Sequence, residues 1–136
     1  MRLLLISNST NAGEEYLDYP KHTIRDFLGS SPVKCLFIPY AGVTISFDDY
    51  EARVKHRFQE VGHDVLSIHH FEDPVKAVME AETIVVGGGN TFQLIKMIHD
   101  NKLIEPVRKK VLSGIPFIGW SAGSNLACPS IKTTND

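Results

Sequence analysis

The residues best suited to chemistry are Gly119-Trp120-Ser121-Ala122-Gly123, one serine between two glycines, directly after the apolar run Ile115-Pro116-Phe117-Ile118. A strand turning sharply into a helix at such a serine holds its backbone in a strained conformation and exposes the hydroxyl at the end of a sheet. The flanking glycines remove the Cβ atoms that would collide there. The pattern is that of a nucleophile elbow. A serine hydroxyl is a poor nucleophile unaided, so an elbow also demands a base, an acid that orients the base, and an oxyanion hole.

Glycines supply candidates for the last of these. Gly87-Gly88-Gly89-Asn90 follows the apolar run Thr83 to Val86. If the strands ending at Val86 and Ile118 are neighbours, their tips lie about 4.8 Å apart and the glycines border Ser121. Backbone amides of a glycine loop can approach a substrate oxygen closely, and the residue after an elbow nucleophile donates an amide as well. Gly89 and Ala122 are the oxyanion-hole candidates. The same glycines also read as an ordinary strand-to-helix turn capped near Asn90-Thr91-Phe92, or as a phosphate-binding loop at a helix N-terminus. No Gly-Lys-Ser/Thr follows them, which speaks against a P-loop.

The base is harder to place. His22, His56, His63, His69, His70 and His99 all precede the elbow, whereas α/β-hydrolases carry their acid and histidine after the serine. His22 and His99 fall in helical crossovers, and His56 lies away from its helix's apolar stripe. His69 and His70 follow the run beginning at Val65 and either reach the rim of the sheet or simply end a strand in solvent, the plainer reading. From its residues alone, the chain offers a nucleophile and no base.

These residues need a scaffold that brings loops together. Apolar runs at Leu3 to Ile6, Cys35 to Ile38, Val65 to Ile68, Thr83 to Val86 and Ile115 to Ile118 alternate with helical patterns. Continuous apolar strands belong to parallel sheets covered on both faces by crossover helices. In such a sheet the loops after the strands gather on one rim, where open α/β folds bind their ligands. Ser7-Asn8-Ser9-Thr10, Pro39-Tyr40-Ala41-Gly42, the glycine loop and the elbow would meet there. The clearest helix starts at Ser46, with Phe47, Tyr50, Val54, Phe58 and Val61 on one stripe and Asp49 completing a capping-box-like start. Asp73-Pro74 opens a second, carrying Val75, Val78 and Met79 inward. Leu103, Val107, Val111 and Leu112 form a third, closed by Gly114. In the first crossover, Leu17, Ile24, Phe27 and Leu28 are periodic around Pro20, where the helix starts or kinks.

Composition fits one domain over 1–136. The chain has 136 residues, 43% of them hydrophobic, and a formal net charge of −2. Its lysines and arginines are scattered, so neither nucleic acid nor an anionic membrane is an expected partner. The apolar N-terminal run is too short for a signal peptide, and no run approaches the roughly 18 apolar residues of a membrane span. Cys35 and Cys128 have neither disulfide-framework nor zinc spacing, and Cys128 reads as a buried core thiol. A soluble, cytoplasmic protein is expected.

Along its whole length the chain resembles the N-terminal part of peptidase E, the α-aspartyl dipeptidases of a serine peptidase family related to class I glutamine amidotransferases. The segments that carry the likeness are LLLISNST at 3–10, FIPYAGVT at 37–44, VVGGGNTFQL at 85–94 and IGWSAGSNLACPSIKTTND at 118–136. The resemblance implies a flavodoxin-like three-layer α/β/α sandwich with a mostly parallel sheet, incomplete in this chain. It implies hydrolysis after an N-terminal aspartate in small peptides, with no metal or cofactor. Ser121 matches the nucleophile, Gly89 and Ala122 the oxyanion-hole amides, and Asp136 the aspartate of the TTND motif, assigned to the charge relay; a downstream glutamate competes for that role. The family's histidine, that glutamate and the arginine that binds the substrate aspartate lie beyond TTND. A second polypeptide carrying the rest of the fold is therefore the expected partner. The alternatives are a catalytically incomplete module that binds a small ligand at the glycine-rich rim, or an amidotransferase relative, which would carry cysteine at the elbow.

Overall fold

In the computed structural model the described residues are 1–6 and 21–123. Among them five parallel strands form one sheet: β1 (Arg2–Ile6), β2 (Lys34–Ile38), β3 (Asp64–Ser67), β4 (Ile84–Val86) and β5 (Pro116–Trp120), in spatial order β1-β5-β4-β2-β3. The five apolar runs are thus all strands, and β4 and β5 are neighbours in the register Val86 to Gly119. Two runs shift: Val65 to Ile68 moves back by one because Ile68 leaves the sheet to open a 3₁₀ turn, Ile68–His70, and Ile115 to Ile118 moves forward to Pro116–Trp120, so that Gly119 and Trp120 still belong to the strand.

Alternate residues along each strand feed two cores. Cys35, Phe37, Val85, Ile118 and Trp120 face one side with Ile24 of α1 (Lys21–Leu28) and Tyr50, Val54 and Phe58 of α2 (Phe47–Glu60). Leu36, Ile38, Ile84, Val86 and Phe117 face the other, against α3 (Pro74–Glu80), α4 (Thr91–Asp100) and α5 (Ile104–Leu112). This is the expected three-layer α/β/α arrangement. Burial on both faces explains why the central strands read as unbroken apolar runs instead of alternating ones.

Local chemistry sets the helix ends. The Ser46 hydroxyl accepts the Asp49 amide at 3.1 Å, and Asp48 and Asp49 lie in the first turn of α2, where negative charge complements the helix dipole. Asp73 caps α3 by accepting the Lys76 amide at 3.1 Å, with Pro74 in the first turn. Gly114, at φ 99°, follows α5 in the left-handed conformation a helix end favours. α1 begins at Lys21, and the Pro20 question lies outside the described residues. Two helical residues face outward instead of inward: Met79 is 42% and Leu112 51% exposed. Each extends its stripe by one position beyond a buried neighbour, Val78 and Val111, which already fill the core side.

Candidate active site

β5 ends directly in the elbow. Ser121 has φ 54°, a left-handed conformation rare outside glycine, and its amide donates to the Ile6 carbonyl at 2.9 Å. The strain is held on both sides. At Gly123 a Cβ would overlap the Val86 carbonyl, so the helix following the serine presses against the end of β4. A Cβ at Gly88 would lie 2.7 Å from the Ser121 Cβ and 3.2 Å from its Oγ. The glycine loop therefore borders the serine, as the adjacency of β4 and β5 predicts.

The loop is fixed in turn from the β2 side. Gly89 adopts φ 139°, and a Cβ there would overlap the Ala41 carbonyl oxygen, which accepts the Asn90 amide at 2.8 Å. The Asn90 side chain accepts the Gln93 amide at 2.9 Å and caps α4. The loop is thus also the capped strand-to-helix turn that the sequence offered as its plain alternative. α4 itself has weak periodicity in sequence because Phe92 stands 88% exposed at its start; the legible signal was Leu94 and Ile98, four apart and both buried.

Tyr50 joins these pieces. Its hydroxyl donates to the Gly88 carbonyl at 2.9 Å. Its ring packs edge-on to Phe37 at 5.0 Å, and Phe37 stacks on Trp120, the residue before the serine, at 6.2 Å. The same ring lies where a Cβ of Gly42 would sit, 2.7 Å from Tyr50 Cδ2, and its hydroxyl where one of Gly87 would. In a trans peptide the N–H points opposite to the C=O. Anchoring the Gly88 carbonyl therefore fixes the direction of the Gly89 N–H, which has no acceptor among the described residues. Ala122 opens the helix after the serine, and first-turn amides have no intrahelical acceptor. Beside this loop opens a cleft of about 420 Å³, lined by Val43, Thr44, Tyr50, Arg53, Gly88 and Gly89 among others.

The histidines of the β3 end do not come to the serine. β3 is three strands from β5, about 14 Å by strand spacing. The 3₁₀ turn folds both rings onto α2, where His69 Nε2 meets Asp48 Oδ1 at 2.7 Å and His70 Nε2 meets Glu51 Oε1 at 2.9 Å. His22, His56 and His99 are exposed on α1, α2 and α4. His63, 3% exposed, is structural: Nδ1 accepts the Val33 amide at 3.0 Å and Nε2 donates to the Gly29 carbonyl at 3.0 Å. Asp136, Cys128 and the Ser7-to-Thr10 loop lie outside the described residues.

A parallel α/β sheet with a strained strand–serine–helix turn against a glycine loop defines an elbow protein of the α/β class. The chain belongs to peptidase family S51, which matches residues 3–136. It is 53% identical over 135 residues to peptidase E of Nostoc sp., covering 99% of this chain and 56% of that one. To peptidase E of Escherichia coli it is 46% identical over 136 residues, covering 100% of this chain and 59% of that one. The chain thus spans a little over half the length of these relatives. A crystal structure of a peptidase from an acI-B1 Actinobacterium shares the fold, with TM-score 0.67 and 20% identity over 89% of this chain and 54% of that one. Among the described residues no helix is long and apolar enough to cross a membrane.

Proposed function

We propose that this chain supplies the nucleophile and oxyanion hole of a serine dipeptidase of the peptidase E type, which cleaves the bond after an N-terminal aspartate. The observation that carries this reading is Ser121 at φ 54° against a glycine loop whose Gly88 carbonyl is tied to Tyr50. Ser121 Oγ attacks the carbonyl after the substrate aspartate while a histidine takes its proton. The Gly89 and Ala122 amides receive the oxyanion, the leaving amine takes the proton from the histidine, and water then releases aspartate from the acyl-enzyme.

The histidine, its glutamate and the arginine for the substrate come from the part of the fold that the relatives carry beyond the matched span. Asp136 is the competing orienter of that histidine. Where the remainder is a separate polypeptide, activity requires both pieces. Arg53 is the one cation lining the cleft among the described residues, which suits an acidic peptide.

The test is Asp-Leu hydrolysis by the chain combined with the remaining part of the fold. Ser121→Ala is expected to abolish turnover and labelling by a serine-directed phosphonate. Retained turnover overturns the assignment. Intact mass of the active species checks the two-piece form: a lone 15.2 kDa polypeptide with full activity ends it.

A further inference from the structure

Where the first turn of α2 meets the 3₁₀ turn after β3, four side chains converge that the peptidase reading leaves unused. Asp48 and Glu51 stand three residues apart on α2, and His69 and His70 are consecutive in the turn, their ring centroids 4.1 Å apart. One donor atom from each of Asp48, His69 and His70 lies within 4.8 Å of the other two. We infer that Asp48, His69 and His70 form a surface site for one divalent transition-metal ion of the zinc type, oriented by Ser67 and Glu51.

The spacing needs little adjustment. Ligands at 2.0–2.1 Å around a tetrahedral ion stand about 3.3 Å from one another. The widest separation here closes to that by about 1.5 Å of movement, and the Asp48 side chain is 79% exposed and able to move. Two imidazoles and one carboxylate are a borderline donor set that suits zinc, nickel or copper better than calcium or magnesium. Solvent at this edge would complete the coordination shell.

The surroundings orient the rings as outer partners of a metal site do. His69 Nδ1 is engaged by Ser67 Oγ at 2.5 Å, which leaves Nε2 directed at Asp48. Glu51 Oε1 holds His70 Nε2 at 2.9 Å, and its other oxygen accepts the Ser67 amide at 2.5 Å, fixing the carboxylate itself. A carboxylate or hydroxyl holding the second nitrogen of a ligating histidine sets its tautomer and ring plane, and losing such a partner weakens metal affinity about 10- to 100-fold. Ser67, His69 and Asp48 also line up as a hydroxyl–imidazole–carboxylate chain. Ser67 is 0% exposed, so no substrate reaches it and the chain is not a second hydrolytic site.

The experiment is a titration of the untagged chain with Zn²⁺ by calorimetry, and with Co²⁺ by visible absorption. One equivalent is expected to bind, with Kd about micromolar or tighter. His69→Gln combined with His70→Gln should remove the binding, Asp48→Asn weaken it at least about tenfold, and Glu51→Gln weaken it about 10- to 100-fold. His22→Gln should leave it unchanged. Circular dichroism and Tm follow the fold of each variant, and Asp48→Asn, on an exposed side chain, keeps the test valid if the histidine pair proves structural. Absence of saturable binding, or binding indifferent to the histidine and Asp48 changes, overturns the inference. Neither outcome bears on the role of Ser121.

Discussion

Tyr50 and Gly88 are 38 residues apart in sequence and joined by a 2.9 Å hydrogen bond from phenol to carbonyl. Through that bond a helix on one face of the sheet controls the loop at the end of β4. Tyr50 is only 5% exposed, so Tyr50→Phe keeps the packing against Phe37 and removes the hydroxyl that anchors the Gly88 carbonyl. A stability loss of about 0.5–1.5 kcal/mol is expected. In the assembled enzyme kcat should fall about tenfold or more with KM held, as befits a contact that matters in the transition state. Steady-state kinetics with Asp-Leu settle it; an unchanged kcat means that the anchor does not aim the Gly89 amide.

Gly123→Ala sets a methyl group into the Val86 carbonyl, backbone against backbone, with no flexible side chain to yield. β4 must part from the helix after the elbow, and a loss of about 3 kcal/mol or more is expected. Gly62→Ala is the contrast: a Cβ there meets nothing within 4 Å and only the φ of 88° opposes it. That should cost about 1–2 kcal/mol. Urea denaturation of both variants gives the comparison, and equal losses would show that the elbow is not tightly wedged.

The five strands and their two-sided burial were legible because β-branched and aromatic runs of four or five residues between turn signals leave few alternatives. The Ser46 and Asp73 caps were legible for the same local reason, a side-chain oxygen placed three residues before an amide that needs it. Directions that depend on distant partners were not. Nothing near His69 and His70 in sequence announces that a 3₁₀ turn folds them onto α2, since Asp48 and Glu51 lie about twenty residues earlier. Tyr50 read only as one member of an apolar stripe; its hydroxyl, not its hydrophobicity, was the clue, because a buried phenol requires an acceptor.

Arg57 is buried, and its guanidinium donates to Glu60 Oε1 at 2.6 Å. That bond, with the added charge of Lys21, holds the Glu60 carboxyl below its ordinary value of 4.5. A carboxyl lowered in the folded state stabilises the fold above pH 4.5 and loses that contribution as pH falls through its folded value. Wild type should therefore exceed Glu60→Gln in Tm at pH 7, and the gap should shrink on acidification below pH 4.5. Calorimetry across this range checks it, and a gap independent of pH would rule out the pair as its source.

Cys35 lies in the middle of the sheet at 0% exposure, and burial, helped by the Asp64 charge, raises its thiol to about 12. Thiolate is the reactive form, so Cys35 should resist iodoacetamide at pH 8 in the native protein and react once urea unfolds it. Peptide mapping by mass spectrometry distinguishes it from Cys128. Native labelling at Cys35 would mean that the sheet opens between β2 and its neighbours far more often than this packing allows.

β5 enters the sheet between β1 and β4, and the Ser121 amide is held by the Ile6 carbonyl. Chains emerge from the ribosome N-terminus first, and β1 to β4 exist before β5 does. Until β5 inserts, β1 has no partner among the described strands and the sheet consists of β4, β2 and β3. The serine therefore acquires its strained shape only when β5 joins β1 to the rest of the described sheet. A nascent chain in which β5 has not yet paired lacks the strained turn that presents the Ser121 hydroxyl.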